Sequence, residues 1–168
     1  MKMRAREEKK KDKEHAKIWK DTFVATFDLQ AVLQTPCSIV SQIYYMRKLN
    51  CYNLSIYNLG SQNATCYLWS EVDAKRGACE IGSAWHLQLL SLPGNIKHVI
   101  LYLDACSGQK RNQFTATALM HAVVNLSNIE IIDHTFLESG HTQMECDSMH
   151  SAIEFAKKKT DIYIPSHY

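Results

Sequence analysis

With 168 residues, 46% of them hydrophobic, and a formal net charge of +2, the chain fits one globular domain, and its overall charge dictates no partner. No run approaches the roughly 20 apolar residues of a membrane span, and the charged N-terminus has no apolar signal region, so an intracellular protein without membrane contact is expected. The six cysteines, at 37, 51, 66, 79, 106 and 146, form no C-x-x-C pair; zinc therefore lacks its usual spacing, and the thiols read as reduced and buried.

Residues 1–17 hold eight Lys/Arg against four Asp/Glu, a local net of +4 that leaves about −2 for the remainder. Residues 1–20 therefore read as a basic arm, helical by propensity but with little apolar face, ahead of a domain at 21–168. The plain expectation for the arm is a solvated helix, or the truncated end of an upstream helix. The alternative is a nuclear-localisation or polyanion-contacting segment centred on Lys9–Lys13.

A first strand is expected over 22–28, then an irregular or helical insert over 38–49 behind Pro36. Leu54 and Ile56 alternate with Asn53 and Ser55, predicting a second strand at 52–58. Turn chemistry at Gly60–Asn63 then leads to a third strand at 65–70, so the two form a hairpin. Ala78, Ile81, Trp85 and Leu89 recur every three or four residues, the stripe of an amphipathic helix that stops at Pro93-Gly94. Residues 97–103 are apolar almost throughout and read as a central, doubly buried strand. A helix at 113–126, a fifth strand at 128–133 and a helix at 143–159 complete the chain.

This β-β-β-α-β-α-β-α order predicts an α/β fold with a mixed sheet covered by helices on both faces. It resembles the ribonuclease-H-like fold, which implies a five-stranded sheet in the order 3-2-1-4-5 with strand 1 parallel to strand 4.

Three carboxylates sit at the edges of these elements: Asp28 ends the first strand, Asp104 the fourth, and Asp147 opens the last helix. Such placement lets acids distant in sequence converge on divalent cations, and carboxylate oxygens suit Mg²⁺ or Mn²⁺. Glu145 competes with Asp147 for the third position, because the two stand about 200° apart on a helical wheel and one regular helix cannot aim both at one site. Asp147 shares its polar face with His150 and Glu154, whereas Glu145 lies on the side of Met149 and Ile153.

His141, behind Gly140, is a candidate for proton transfer or phosphate contact, and Glu80 for a fourth ligand or a simple first-turn acid. The loop Gln109-Lys110-Arg111-Asn112 reads as a phosphate contact through amides and cations. Ser107 has no nucleophile elbow, and Cys106 has no neighbouring base to activate it.

The phrases Tyr44-Tyr-Met-Arg-Lys-Leu49, Asp104-Ala-Cys-Ser-Gly-Gln109 and Gly140-His-Thr-Gln-Met-Glu-Cys-Asp147 resemble a family of transposon-derived proteins with a transposase-like core. The resemblance spans roughly residues 21–165. It favours Asp147 over Glu145 and implies a metal-dependent nuclease or transposase acting on DNA phosphodiesters, nuclear in location. Two departures point to the alternative, an inactive nucleic-acid-binding or protein-interaction domain. Lys110-Arg111-Asn112 stands where the family has Asn-Lys-Asn, and the family's upstream segment is missing, as in a truncated copy.

Overall fold

Strand β1, Thr22–Leu29, is the axis of the molecule. It pairs antiparallel with β3 (Leu49–Asn58), Asp28 opposite Ser55, and parallel with β5 (His98–Asp104), Thr26 opposite Tyr102. Strand β4 (Ala64–Ser70) closes the hairpin on the far edge of β3, and β6 (Ile131–Leu137) lies parallel to β5. The path β4-β3-β1-β5-β6 thus has the expected order, the third, second, first, fourth and fifth of the expected strands. The computed structural model describes the backbone of residues 2–104, 113–137 and 144–168, and their side chains apart from those of residues 2–6 and of Asp104.

Among the described residues the sheet has six strands, not five. The extra strand, β2 (Leu33–Thr35), pairs antiparallel with Leu49–Cys51, burying Leu33 and Thr35 while Gln34 faces solvent. Three residues are too few for periodicity to reveal it. Within the insert that follows, only α2 (Ser41–Tyr44) is α-helical. The expected strand at 128–133 begins later, at Ile131. Ile129 reaches the core from the preceding loop, and the amides of Glu130 and Ile131 both bond to the Lys97 carbonyl, at 2.8 and 3.2 Å.

Alternation along the strands divides the core in two. Phe23, Ala25, Phe27 and Leu29 join Leu54, Ile56, Val99 and Leu101 on one face. Helix α3 (Ala78–Leu90) covers this face with Ile81, Trp85 and Leu89, and the Trp85 ring meets Phe27 edge-on at 4.6 Å. Helix α4 (Gln113–Asn125) packs beside it, brought close because Gly82 has no Cβ; one built there would stand 3.3 Å from that of Ala118. The opposite face carries a smaller cluster of Val24, Leu59, Ile100, Tyr102 and Leu137.

Helix α1 (Lys2–Ile18) lies on that second face and is not the solvated arm expected from its composition. Lys9, Asp12, Lys13 and Ala16, spaced by three and four residues, are its partly buried stripe. Ala16 packs on the small cluster, Asp12 accepts the Tyr102 hydroxyl, and Lys9 and Lys13 reach Glu145. The approach requires Gly60, where a Cβ would come within 3.1 Å of the Ala16 carbonyl. A charged stripe docks here because charged and polar groups receive it. Helix α5 (Glu145–Lys157) lies on β1 and β3, also on this face.

Candidate metal centre

The site lies where β1 leaves its small apolar cluster. Along the face that includes Val24, the next inward positions are Thr26 and Asp28; Ser55 stands opposite Asp28, and Asn53 lies two residues from it on β3, so apolar packing gives way to polar contacts. Helix α5 accordingly turns mixed chemistry toward the sheet. Cys146 is fully buried, with Met149, His150, Ile153 and Glu154 partly buried behind it. His150 and Glu154 are thus turned inward beside Met149 and Ile153, while Asp147 stays exposed.

Among the described residues, Asp28, Asp147 and His150 form a group whose ligand atoms lie within 4.8 Å of one another. His150 Nδ1 stands 3.9 Å from Asp28 Oδ2, with the two side chains 13% and 26% exposed. Asp147 is held in place as the third residue of α5, one of its carboxylate oxygens accepting the Met144 amide at 2.9 Å. Two carboxylates and an imidazole are a donor set for a divalent cation, so the residues present fit one.

Glu145, the rival third acid, points elsewhere: its carboxylate is bound by Lys9 at 2.6 Å and Lys13 at 3.5 Å. Burial alone would push this carboxyl up, but the hydrogen bond and charge of Lys9, with help from Lys13, bring it below the usual carboxylate range. Glu80 is a helix-start acid, accepting the Lys75 amide at 3.1 Å at the head of α3. Asp104 ends β5. The β1–β5 ladder runs as far as Thr26 opposite Tyr102, two residues short of Asp28 and Asp104 on their strands. The Asp104 side chain, His141 and the loop Gln109-Lys110-Arg111-Asn112, with Cys106 and Ser107, lie outside the described residues.

Beneath the group, Cys146 is sealed in. Its Sγ lies 3.4 Å from both the Thr26 and Ser55 carbonyls, and burial pushes the thiol up to about 11, which keeps it protonated and unreactive. A polar chain runs alongside. Gln30 Nε2 faces Glu154 Oε1 at 3.4 Å and the His150 carbonyl at 3.5 Å; Asn53 Nδ2 donates to Gln30 Oε1 at 2.9 Å and to Ser55 Oγ at 3.2 Å; Ser55 Oγ meets His150 Nε2 at 3.1 Å.

Sequence reasoning gave His150 no role. The available signal was its spacing of three residues from Asp147, which places both on one helix flank. The spacing alone does not reveal the polarity of the sheet beneath it, which depends on how β1 and β3 pair. The chain matches no family model, no curated protein and no solved structure.

Proposed function

We propose that the chain is the metal-dependent catalytic core of a nuclease or transposase with a ribonuclease-H-like fold, acting on DNA phosphodiesters. One observation carries this reading. Asp28, on a central strand, and Asp147, on a helix 119 positions later in the chain, bring ligand atoms within 4.8 Å of each other together with His150. The strand order β4-β3-β1-β5-β6 and the parallel pairing of β1 with β5 support it.

Bound Mg²⁺ or Mn²⁺ would supply a Lewis acid for phosphoryl oxygens. Asp28 and Asp147 would hold the cation, with Asp104 completing the acidic set from the neighbouring strand. Gln109, Lys110, Arg111 and Asn112 would contact flanking phosphates, and His141 would assist proton transfer. Lys9 and Lys13 are engaged by Glu145, so contact between the N-terminal helix and DNA would fall to exposed Lys10, Lys11 and Lys17.

The test joins a melt to an assay. Wild-type protein is expected to melt at higher temperature in millimolar Mn²⁺ and to cleave or join labelled DNA, while Asp28→Asn loses both properties. A melt indifferent to both cations would remove the metal-dependent reading. A second reading is a non-catalytic interaction domain, favoured by the exposed side chains of the insert, with Ile39, Tyr44 and Tyr45 at 96%, 74% and 86% exposure. A metal-induced shift without turnover on any DNA would select it.

A further inference from the structure

We propose that His150 is a metal ligand through Nδ1, and that its imidazole makes this centre select first-row transition ions such as Mn²⁺ and Co²⁺ over Mg²⁺. This rests on the metal-binding reading above and adds the identity of the ion.

Geometry comes first. The 3.9 Å between His150 Nδ1 and Asp28 Oδ2 is too long for a hydrogen bond. It does suit two donors on one ion, because atoms each about 2.1 Å from a shared cation stand roughly 3–4.2 Å apart.

The polar chain accommodates a ring proton on Nε2. Gln30 Nε2 faces two acceptors, the His150 carbonyl and Glu154 Oε1, which orients the Gln30 amide and turns its Oε1 to Asn53. Asn53 must then present Nδ2 in that direction, and the second hydrogen of the same nitrogen goes to Ser55 Oγ. Ser55 is therefore an acceptor toward Asn53. Its own hydrogen has Cys66 Sγ at 3.5 Å, and its remaining lone pair faces His150 Nε2 at 3.1 Å. With Ser55 accepting from the ring, the proton sits on Nε2 and the Nδ1 lone pair turns toward Asp28, while Asn53 Oδ1 stays buried with no partner among the described residues. A histidine anchored through one nitrogen and ligating through the other is the usual arrangement at metal centres.

The ion follows from the donor. Mg²⁺ takes oxygen ligands and dehydrates reluctantly, whereas an imidazole nitrogen favours ions further along the first transition row. A site built from Asp28, Asp147 and His150 thus differs from one built on carboxylates alone.

The experiment is a calorimetric titration of the full chain with MgCl₂, MnCl₂ and CoCl₂ separately, repeated on His150→Gln, Ser55→Ala and Asp28→Asn. Wild type is expected to bind Mn²⁺ at least tenfold tighter than Mg²⁺, and Co²⁺ tighter still. His150→Gln should lose most of that preference while retaining Mg²⁺. Ser55→Ala keeps the imidazole but frees its orientation, and should weaken Mn²⁺ binding about tenfold with little change for Mg²⁺. Nitrogen NMR of the His150 ring, with diamagnetic Zn²⁺ as probe, should show Nδ1 shifting strongly and Nε2 remaining protonated. Equal affinity for Mg²⁺ and Mn²⁺, or a shift at Nε2, overturns the inference and leaves the metal centre standing. If no ion binds wild type and Asp28→Asn is indistinguishable from it, the centre itself is refuted.

Discussion

The two faces of the sheet are built on opposite terms. Under α3 and α4, strands β1, β3 and β5 present Phe27, Leu54 and Leu101 to Trp85 and Leu89, a broad apolar contact. Under α1 and α5 the sheet presents the small cluster that includes Val24, Ile100 and Tyr102, then Thr26, Asp28, Asn53 and Ser55, met by lysines, a histidine and a thiol. Burial at about 25 cal/mol per Å² stabilises the first face without directional demands. On the second, each polar group needs a partner at a fixed distance, so the face specifies geometry at little gain in stability. Ligand atoms from three separated positions converge where the sheet has ceased to be apolar.

The largest way to break this contrast is Trp85→Ala. It empties the centre of the apolar face and should lower unfolding free energy by about 3–5 kcal/mol, read from the denaturant midpoint. Gly82→Leu forces α3 away from Ala118 and should cost about 1–3 kcal/mol, more than the roughly 1 kcal/mol gained in helix propensity. A melt unchanged by that substitution would show that α4 yields freely and that the apolar face is not closely packed.

Acid should find one weak point in the apolar face. His134 stacks near Phe27 and Phe136, and burial holds its imidazole below the ordinary value of 6.5. Its folded form resists protonation, so the unfolded chain binds more protons as pH falls below 6.5. The stability from a neutral His134 is present above that value and is lost progressively toward the lowered folded value. His134→Phe should flatten this part of the stability–pH curve.

The polar face should respond weakly in stability and strongly in behaviour. Asp28→Asn is expected to change the metal-free melt by less than about 1 kcal/mol while abolishing the Mn²⁺-induced shift. The smallest effect belongs to Lys9→Gln with Lys13→Gln, about 0.2–1 kcal/mol, read more sensitively as faster amide exchange in α1.

The apolar half was legible in the sequence. The period of Ile81, Trp85 and Leu89, and the unbroken run to Leu103, are signals that burial imposes on any chain, and they place α3 and β5 within a residue or two. The polar half was legible only in part. Asp28 and Asp147 stood out because acids at element ends are conspicuous, but His150 and Ser55 acquire meaning only when β1 and β3 are in register and α5 is laid over them. Helix α1 misled for the same reason. Its inward stripe of Lys9, Asp12, Lys13 and Ala16 has no hydrophobic signature, and only the groups opposite reveal it as a packing surface.

The way α1 is fastened also sets how the molecule breathes. Among the described side chains, Ala16, the Tyr102 hydroxyl on Asp12, and Lys9 and Lys13 sharing the Glu145 carboxylate help to secure a helix of 17 residues. Charge contacts at a part-exposed seam are screened by added salt, whereas the Trp85 layer is not. Amide exchange in α1 is therefore expected to quicken as salt is added, while exchange in α3 stays unchanged. Each opening bares Val24, Leu59 and Ile100 while the rest of the sheet stays folded, so a protease or a self-association reaction would meet the protein there first.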